Sequence, residues 1–417
     1  MQSFADLEID FDEAWYLTRY PDVAAAVAAG SCPSGYAHYL SHGKDEGRLP
    51  RANTPLSFDS EWYASAYPMA VREVGSRDPV ALEEHYRVFG LARGYLPHSR
   101  ANRPDNPSAA QKKFGGLWVD NANAHDLARG KYELGWITEQ EAQQLHSFID
   151  KGFTVLPSVV PTEILDRAEE ALEAAYHGHY PDLMFVCPTI SKGTLSWDPR
   201  LIDQPTKALD MHWMSQEVRD LGFHPSFVRF LNILFEQPAL ASQSLGFYRG
   251  SAQPMHQDSA YVAYSLPQHF AAAWIALEDV KAGGGELMYF PESHRKLPEF
   301  LYGGKYKSVV EAERMRINKQ MVAQDDNRHA AEIESEAARL GLRRELFMAK
   351  RGDVLIWHSD LAHGGSEISH KDSRKSFVFH YCPKDVAPLF MEYGSRELRI
   401  HDSRMYYTST AYLVQST

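Results

Sequence analysis

The chain has 417 residues, 44% of them hydrophobic and 24% charged, and a net charge of −12 at neutral pH. That length fits two or three domains with a real core, and an acidic balance without a long basic run disfavours nucleic-acid binding through backbone neutralisation. Cys32, Cys187 and Cys382 are too far apart for a disulfide framework or a thiolate zinc site, and no apolar run approaches a membrane span, so a cytoplasmic chain is expected.

The N-terminus, MQSFADLEIDFDEAW, is acidic and has no basic n-region, so it does not read as a secretory signal. A repeat follows. Phe11-Asp12, Trp15-Tyr16, Tyr20-Pro21, His38-Tyr39, Gly43, Gly47 and Leu49-Pro50 recur as Phe58-Asp59, Trp62-Tyr63, Tyr67-Pro68, His85-Tyr86, Gly90, Gly94 and Leu96-Pro97, at a constant offset of 47. Such periods belong to stacked supersecondary units. Residues 1–100 therefore read as a small α-helical tandem-repeat module, with repeats at about 11–50 and 58–97. Helices are expected at PDVAAAVAAG and DPVALEEHYRVFG, and the module suits docking to a protein partner or self-association.

Residues 101–134 form a linker and lead-in, opening on the polar stretch SRANRPDNPSAAQKK. The second domain, 135–417, starts with the capping box Thr138-x-x-Glu141 ahead of a helix to about Asp150. GFTVLPSVV reads as a strand, PTEILDRAEEALEAAYHG as an amphipathic helix with Pro at its start and Gly at its end, and HPSFVRFLNILFEQ as another helix. From Ala241 onward short strand-like runs predominate: SQSLGFYRG, AYVAYSL, HFAAAWIAL, GELMYFP, GDVLIWH and KSFVFHYC. That succession predicts a mainly β domain of jelly-roll type with flanking helices. A helical insertion at about 296–350 interrupts it, readable as a lid or as a solvated hairpin on the rim.

His256-Gln257-Asp258 puts an imidazole and a carboxylate on one face of a strand, because residues i and i+2 point the same way. Two histidines and one carboxylate are the iron(II) oxygenase ligand set. His-x-Asp alone is a weak signal, and His370-Lys371-Asp372 is a second instance, set aside for its polar loop. GDVLIWHSDLAHGG offers His358 and His363 as the third ligand. Arg374 follows His363 by eleven residues, and its planar fork suits a carboxylate; Ser376 shares its face, while Lys375 alternates outward as a surface lysine. Tyr248, Tyr261, Tyr264 and Trp213 are pocket candidates, with Tyr248 placed at the co-substrate.

Gln253-Pro254-Met255-His256-Gln257-Asp258, then Trp274, GGGELMYFPESHR, GDVLIWHSDLAHGG and Arg374 together resemble the phytanoyl-CoA dioxygenase family over roughly 135–410. The resemblance implies a double-stranded β-helix using iron(II), 2-oxoglutarate and dioxygen. It makes His256, Asp258 and His363 the metal ligands, Arg374 the co-substrate arginine, and Trp274 a residue beside 2-oxoglutarate or an ordinary core aromatic. Halogenating relatives lack the carboxylate that Asp258 supplies, so hydroxylation is implied. Two turns depart from the family pattern: Gly284-Gly285-Glu286-Leu287 and Pro291-Glu292-Ser293-His294. The repeat resembles modules found beside bacterial glycosyltransferases, which points toward a glycan or lipid-linked substrate alongside a small-molecule one. Two alternatives are a non-catalytic jelly-roll binding protein and a cupin-like zinc or manganese isomerase; the latter leaves Arg374 unexplained.

Overall fold

The computed structural model describes residues 11, 13–43, 58–90, 95, 116–191, 193–266, 268–298, 300, 319–370, 372–388, 398–401 and 404–407. The expectations for Asp12, Gly47, Leu49-Pro50, Gly94, Leu96-Pro97, the stretch 99–113 and insertion residues 301–318 lie outside them. The chain divides into two compact units: Met1–Pro107 with Asn123–His146 and Glu236–Pro238, and Ser108–Ala122 with Ser147–Phe235 and Ala239–Thr417.

In the first unit, helices Glu13–Arg19, Pro21–Ala28 and Gly35–His38 are followed in the same order by Ser60–Ala66, Pro68–Val74 and Pro79–His85. Contacts recur with the elements. Tyr16 Oη lies 3.2 Å from His38 Nδ1, and Tyr63 Oη lies 3.0 Å from His85 Nδ1. A Cβ on Gly43 or Gly90 would strike the hydroxyl of Tyr16 or Tyr63, which explains glycine at both positions. Tyr16 and Tyr63 are fully buried and belong to the core of their repeats. The capping box is reciprocal: Glu141 N donates to Thr138 Oγ1 at 3.2 Å and Thr138 N to Glu141 Oε2 at 2.7 Å.

The second unit is a sheet-rich core with flanking helices. Its strands are β1 Phe153–Leu156, β2 Phe185–Val186, β3 Thr194–Leu195, β4 Lys207–Leu209, β5 Ala239–Phe247, β6 Ala271–Ala276, β7 Leu287–Tyr289, β8 Glu345–Phe347, β9 Val354–His358, β10 His363–Gly365, β11 Ser376–Pro383, β12 Leu398–His401 and β13 Arg404–Tyr407. The large sheet runs β1-β9-β6-β11-β5-β4-β2-β3, and the small one β10-β7-β8. Pairing is antiparallel except that β13 lies parallel to β5. AYVAYSL does not form a strand: the 3₁₀ turn Asp258–Ala260 leads into it, and Tyr264 makes only an isolated bridge to Pro388.

Phe153, Trp357, Leu355, Trp274, Val378 and Phe247 from the large sheet meet Leu287 and Tyr289 from the small one in a shared core. The opposite face of the large sheet is also covered. Tyr381 Oη donates to Gly222 O, and a Cβ on Gly246 would meet Leu172 at 2.8 Å. Burial on both faces explains why β6, β9 and β11 read as largely apolar runs without strict alternation.

That covering corrects the surface reading of Lys375. It does point away from Arg374, but it is buried, and its ammonium pairs with Glu169 at 2.7 Å and with Glu173, both on helix Thr162–Tyr176.

Candidate metal and co-substrate site

The segment carrying His256 pairs with β10 through a two-residue bridge. His256 N donates to His363 O at 2.8 Å, and His363 N to His256 O at 2.9 Å. Backbone pairing thus brings together two histidines 107 positions apart in the chain. Their rings lie 4.3 Å apart, and each Nε2 stands 3.6 Å from Asp258 Oδ1. One potential ligand atom from each of His256, Asp258 and His363 lies within 4.8 Å of the others.

The opposite side of every one of these groups is occupied. His256 Nδ1 donates to Pro254 O at 2.8 Å and His363 Nδ1 to Leu361 O at 2.9 Å, which leaves both Nε2 lone pairs facing inward. Asp258 Oδ2 accepts from Trp357 Nε1 at 2.8 Å and from His380 Nε2 at 3.4 Å. Burial alone would raise the Asp258 carboxyl; the surrounding His363, His380 and His256 outweigh it and hold it well below its ordinary range. Burial pulls His363 down to about 4, against the opposing pull of Asp258. A carboxylate and a neutral imidazole at neutral pH are the forms a cation needs.

His358 goes elsewhere. Its Nε2 meets Asp120 Oδ1 at 3.0 Å, its Nδ1 accepts from Asp360 N at 2.9 Å, and it is fully buried. His370-Lys371-Asp372 stays outside the site: Asp372 pairs with Lys281 at 2.9 Å, and His370 Nε2 meets Ala282 O.

A cavity of about 260 Å³ runs from His256, Asp258 and His363 to Arg374. Arg374 is buried with its guanidinium 5.4 Å from the Trp274 ring centre and 5.8 Å from that of Phe247. Burial pulls it down to about 10, with Glu286 and Glu278 opposing. Arg374 Nε, Trp274 Nε1 and Ser376 Oγ are all buried without a hydrogen-bond partner. Of these, Arg374 and Trp274 line the cavity, and two unsatisfied donors at one end fit a carboxylate, while the donor set at the other end fits a divalent metal.

Tyr248 does not join them. Phe247 faces the cavity, and alternation turns Tyr248 the other way, against Tyr176 at 5.4 Å and the Lys375 ammonium at 5.6 Å. Tyr261 lines the cavity, whereas Tyr264 packs with Leu240 and Phe270, and Trp213 lies beneath Arg399.

Sequence reasoning missed Lys207. It lines the cavity from β4, with burial lowering its pKa against the pull of Asp258, and donates to Gln253 Oε1 at 2.6 Å; Gln253 Nε2 in turn lies 3.1 Å from His256 Nε2, on the lone pair that a metal would take in its place. No sequence signal marks it, because β4 has only three residues.

The insertion contains helix Lys319–Arg339. Its Ile333 and Ala337 pack on Met255, Phe290 and Ala362, and His329 Nε2 lies 3.4 Å from Gln257 Oε1. Met255, Gln257 and Ala362 flank the two ligand histidines and point the opposite way, so this part of the helix lies behind the metal face.

Residues 148–376 match the family profile described as phytanoyl-CoA dioxygenase. Comparison with curated proteins returns no match. Among solved structures, the chain is similar to SnoK, a non-heme alpha ketoglutarate dependent carbocyclase from nogalamycin biosynthesis, at 17% identity, 61% of this chain, 88% of that one and a TM-score of 0.45. EctD from S. alaskensis, solved with bound Fe, gives 16%, 59%, 77% and 0.40. HygX from Streptomyces hygroscopicus, with nickel and 2-oxoglutarate bound, gives 15%, 60%, 88% and 0.37. The structural likenesses are distant, but the profile spans more than half of the chain, which therefore belongs to the phytanoyl-CoA dioxygenase family and is an enzyme of the dioxygenase type.

Proposed function

We propose that this chain uses iron(II), 2-oxoglutarate and dioxygen to hydroxylate an unactivated C–H bond of a small-molecule, glycan or lipid-linked substrate, with release of succinate and carbon dioxide. One observation carries the reading: a single cavity has a two-histidine, one-carboxylate face at one end and, at the other, the buried Arg374 and Trp274 with unpartnered Nε and Nε1 donors. The two facing sheets fit the double-stranded β-helix expected of such an enzyme.

His256, Asp258 and His363 hold the metal. Arg374, with Trp274 Nε1 and Ser376 Oγ, takes the distal carboxylate of 2-oxoglutarate, and Lys207 supplies a second positive charge for its keto-acid end. The bound metal and keto-acid together supply the oxidant. The remaining work is positioning and exclusion of water, done by the apolar walls Leu245, Val378 and Leu287.

We place the reaction in the cytoplasm, in keeping with three cysteines that form no disulfide. Among the described residues no helix is long and apolar enough to cross a membrane. The repeated helices of the first unit suit docking to a partner or to a second copy.

The test is succinate formation by the purified chain given iron(II), 2-oxoglutarate and dioxygen without substrate. Turnover that disappears in Asp258→Ala and Arg374→Ala supports the reading. Absence of both metal binding and turnover in the unaltered protein removes it.

A further inference from the structure

A carboxylate can bind a cation through one oxygen or through both. The choice matters here. Three ligand atoms on one octahedral face leave three positions, enough for a two-point keto-acid and dioxygen. A carboxylate that chelates takes one of those positions. The side chain of Asp258 must therefore be kept from turning both oxygens to the metal.

Asp258 Oδ1 is the oxygen equidistant from His256 Nε2 and His363 Nε2, at 3.6 Å from each. Oδ2 faces away, to Trp357 Nε1 at 2.8 Å and His380 Nε2 at 3.4 Å. The indole nitrogen can only donate. The tautomer of His380 follows from its surroundings: Nδ1 is buried with no partner, so the ring proton belongs on Nε2, where an acceptor waits. Oδ2 thus receives two donors from two different strands, β9 and β11. Ala272 of β6 lies between them, in register with Trp357 on one side and His380 on the other. Its methyl leaves room for both larger side chains to lean inward towards Asp258.

We propose that Trp357 and His380 are positioning residues that hold Asp258 by Oδ2, so that it gives a metal one oxygen and keeps a coordination position open for the co-substrate. The proposal rests on the metal site described above.

Cobalt(II) titrated into the full-length protein tests it without requiring turnover. The readouts are cobalt affinity, the visible absorption of the bound ion, and 2-oxoglutarate affinity of the cobalt-loaded protein. Trp357→Phe and His380→Phe are each expected to weaken cobalt binding about 10–100-fold, as loss of an outer partner typically does. The double variant should also shift the cobalt absorption and bind 2-oxoglutarate at least about tenfold more weakly. His380→Gln, which restores an N–H donor, should recover most of both losses. Variants that match the unaltered protein in cobalt affinity, absorption and 2-oxoglutarate affinity overturn the proposal. So do variants that lower only the melting temperature, which is the mark of a purely structural role. Failure of the unaltered protein to bind cobalt removes the metal site, and the clamp with it. Binding by the unaltered protein that is lost in His363→Ala keeps the two failures distinct.

Discussion

The two ends of the cavity solve opposite problems. At the metal end each inward-facing atom has its counterpart fixed from behind: two backbone carbonyls hold the histidines, and an indole and an imidazole hold the carboxylate. At the arginine end the donors of Arg374, Trp274 and Ser376 have no protein partner. A metal brings only positive charge, so its ligands must be aimed in advance by the protein. A dicarboxylate brings its own acceptors, so its binding groups are left waiting, and their burial costs stability until it arrives.

The largest break in this comparison comes from the metal end. Asp258→Ala and His363→Ala should each lose bound iron and all succinate formation, read by metal content and product analysis. His358→Ala is the control: it should keep iron. It strands the buried Asp120 carboxylate, which typically costs about 3–5 kcal/mol in chemical denaturation.

The arginine end should fail in the reverse sense. Arg374→Ala is expected to weaken 2-oxoglutarate binding by about 10²-fold or more, read by calorimetry, and Arg374→Lys should lose much of it because a point charge cannot reproduce the fork. Iron affinity should not change. With a base whose pKa is depressed by burial to about 10, the charged form is penalised at every pH below that value. Arg374→Leu should therefore leave the metal-free protein as stable as before or more so at neutral pH. A large fall in its melting temperature would show that Arg374 is a structural residue. Lys207→Met should cost about tenfold in 2-oxoglutarate affinity, in line with a single charge-assisted contact.

The insertion helix sharpens the contrast further. Ile333→Asp puts a charge behind the metal face, where it should cost about 2–4 kcal/mol and weaken iron more than 2-oxoglutarate. Unchanged iron binding would return the insertion to the rim or lid role expected from its length. The smallest effect belongs to the first unit: a chain beginning at Phe114 should stay soluble and retain uncoupled turnover, since every candidate site residue lies in the second unit.

Much of the site was legible because alternation along a strand is a strict rule. The pairs His256 with Asp258 and Arg374 with Ser376 are read from i, i+2 spacing, although His256 sits in a single bridge, Asp258 opens a 3₁₀ turn and Arg374 lies just ahead of β11. The same rule misplaced Tyr248, since the sequence does not say which of Phe247 and Tyr248 faces inward; only the pairing of Phe247 with Ser376 decides it. Lys375 was oriented correctly but read as exposed, because nothing in its own strand announces that Glu169 and Glu173 of a distant helix cover it. The choice between His358 and His363 likewise depends on Asp120, 238 residues away. Long apolar runs gave β6, β9 and β11 reliably, whereas β4, with three residues, left no pattern, and Lys207 went with it. The helix Lys319–Arg339 was visible as composition, but its seat behind Met255 and Ala362 was not.

Each candidate ligand histidine is oriented by the carbonyl two residues before it, Pro254 for His256 and Leu361 for His363. Those acceptors are main chain, so no side-chain substitution deletes them. The side chains of the cavity wall, among them Val186, Leu209, Gln243 and Tyr261, can therefore drift toward new substrates while both imidazoles keep their aim. A catalytic centre anchored in this way tolerates wholesale change in what it acts upon, which suits a scaffold that diversifies by rebuilding its pocket around a fixed reactive point.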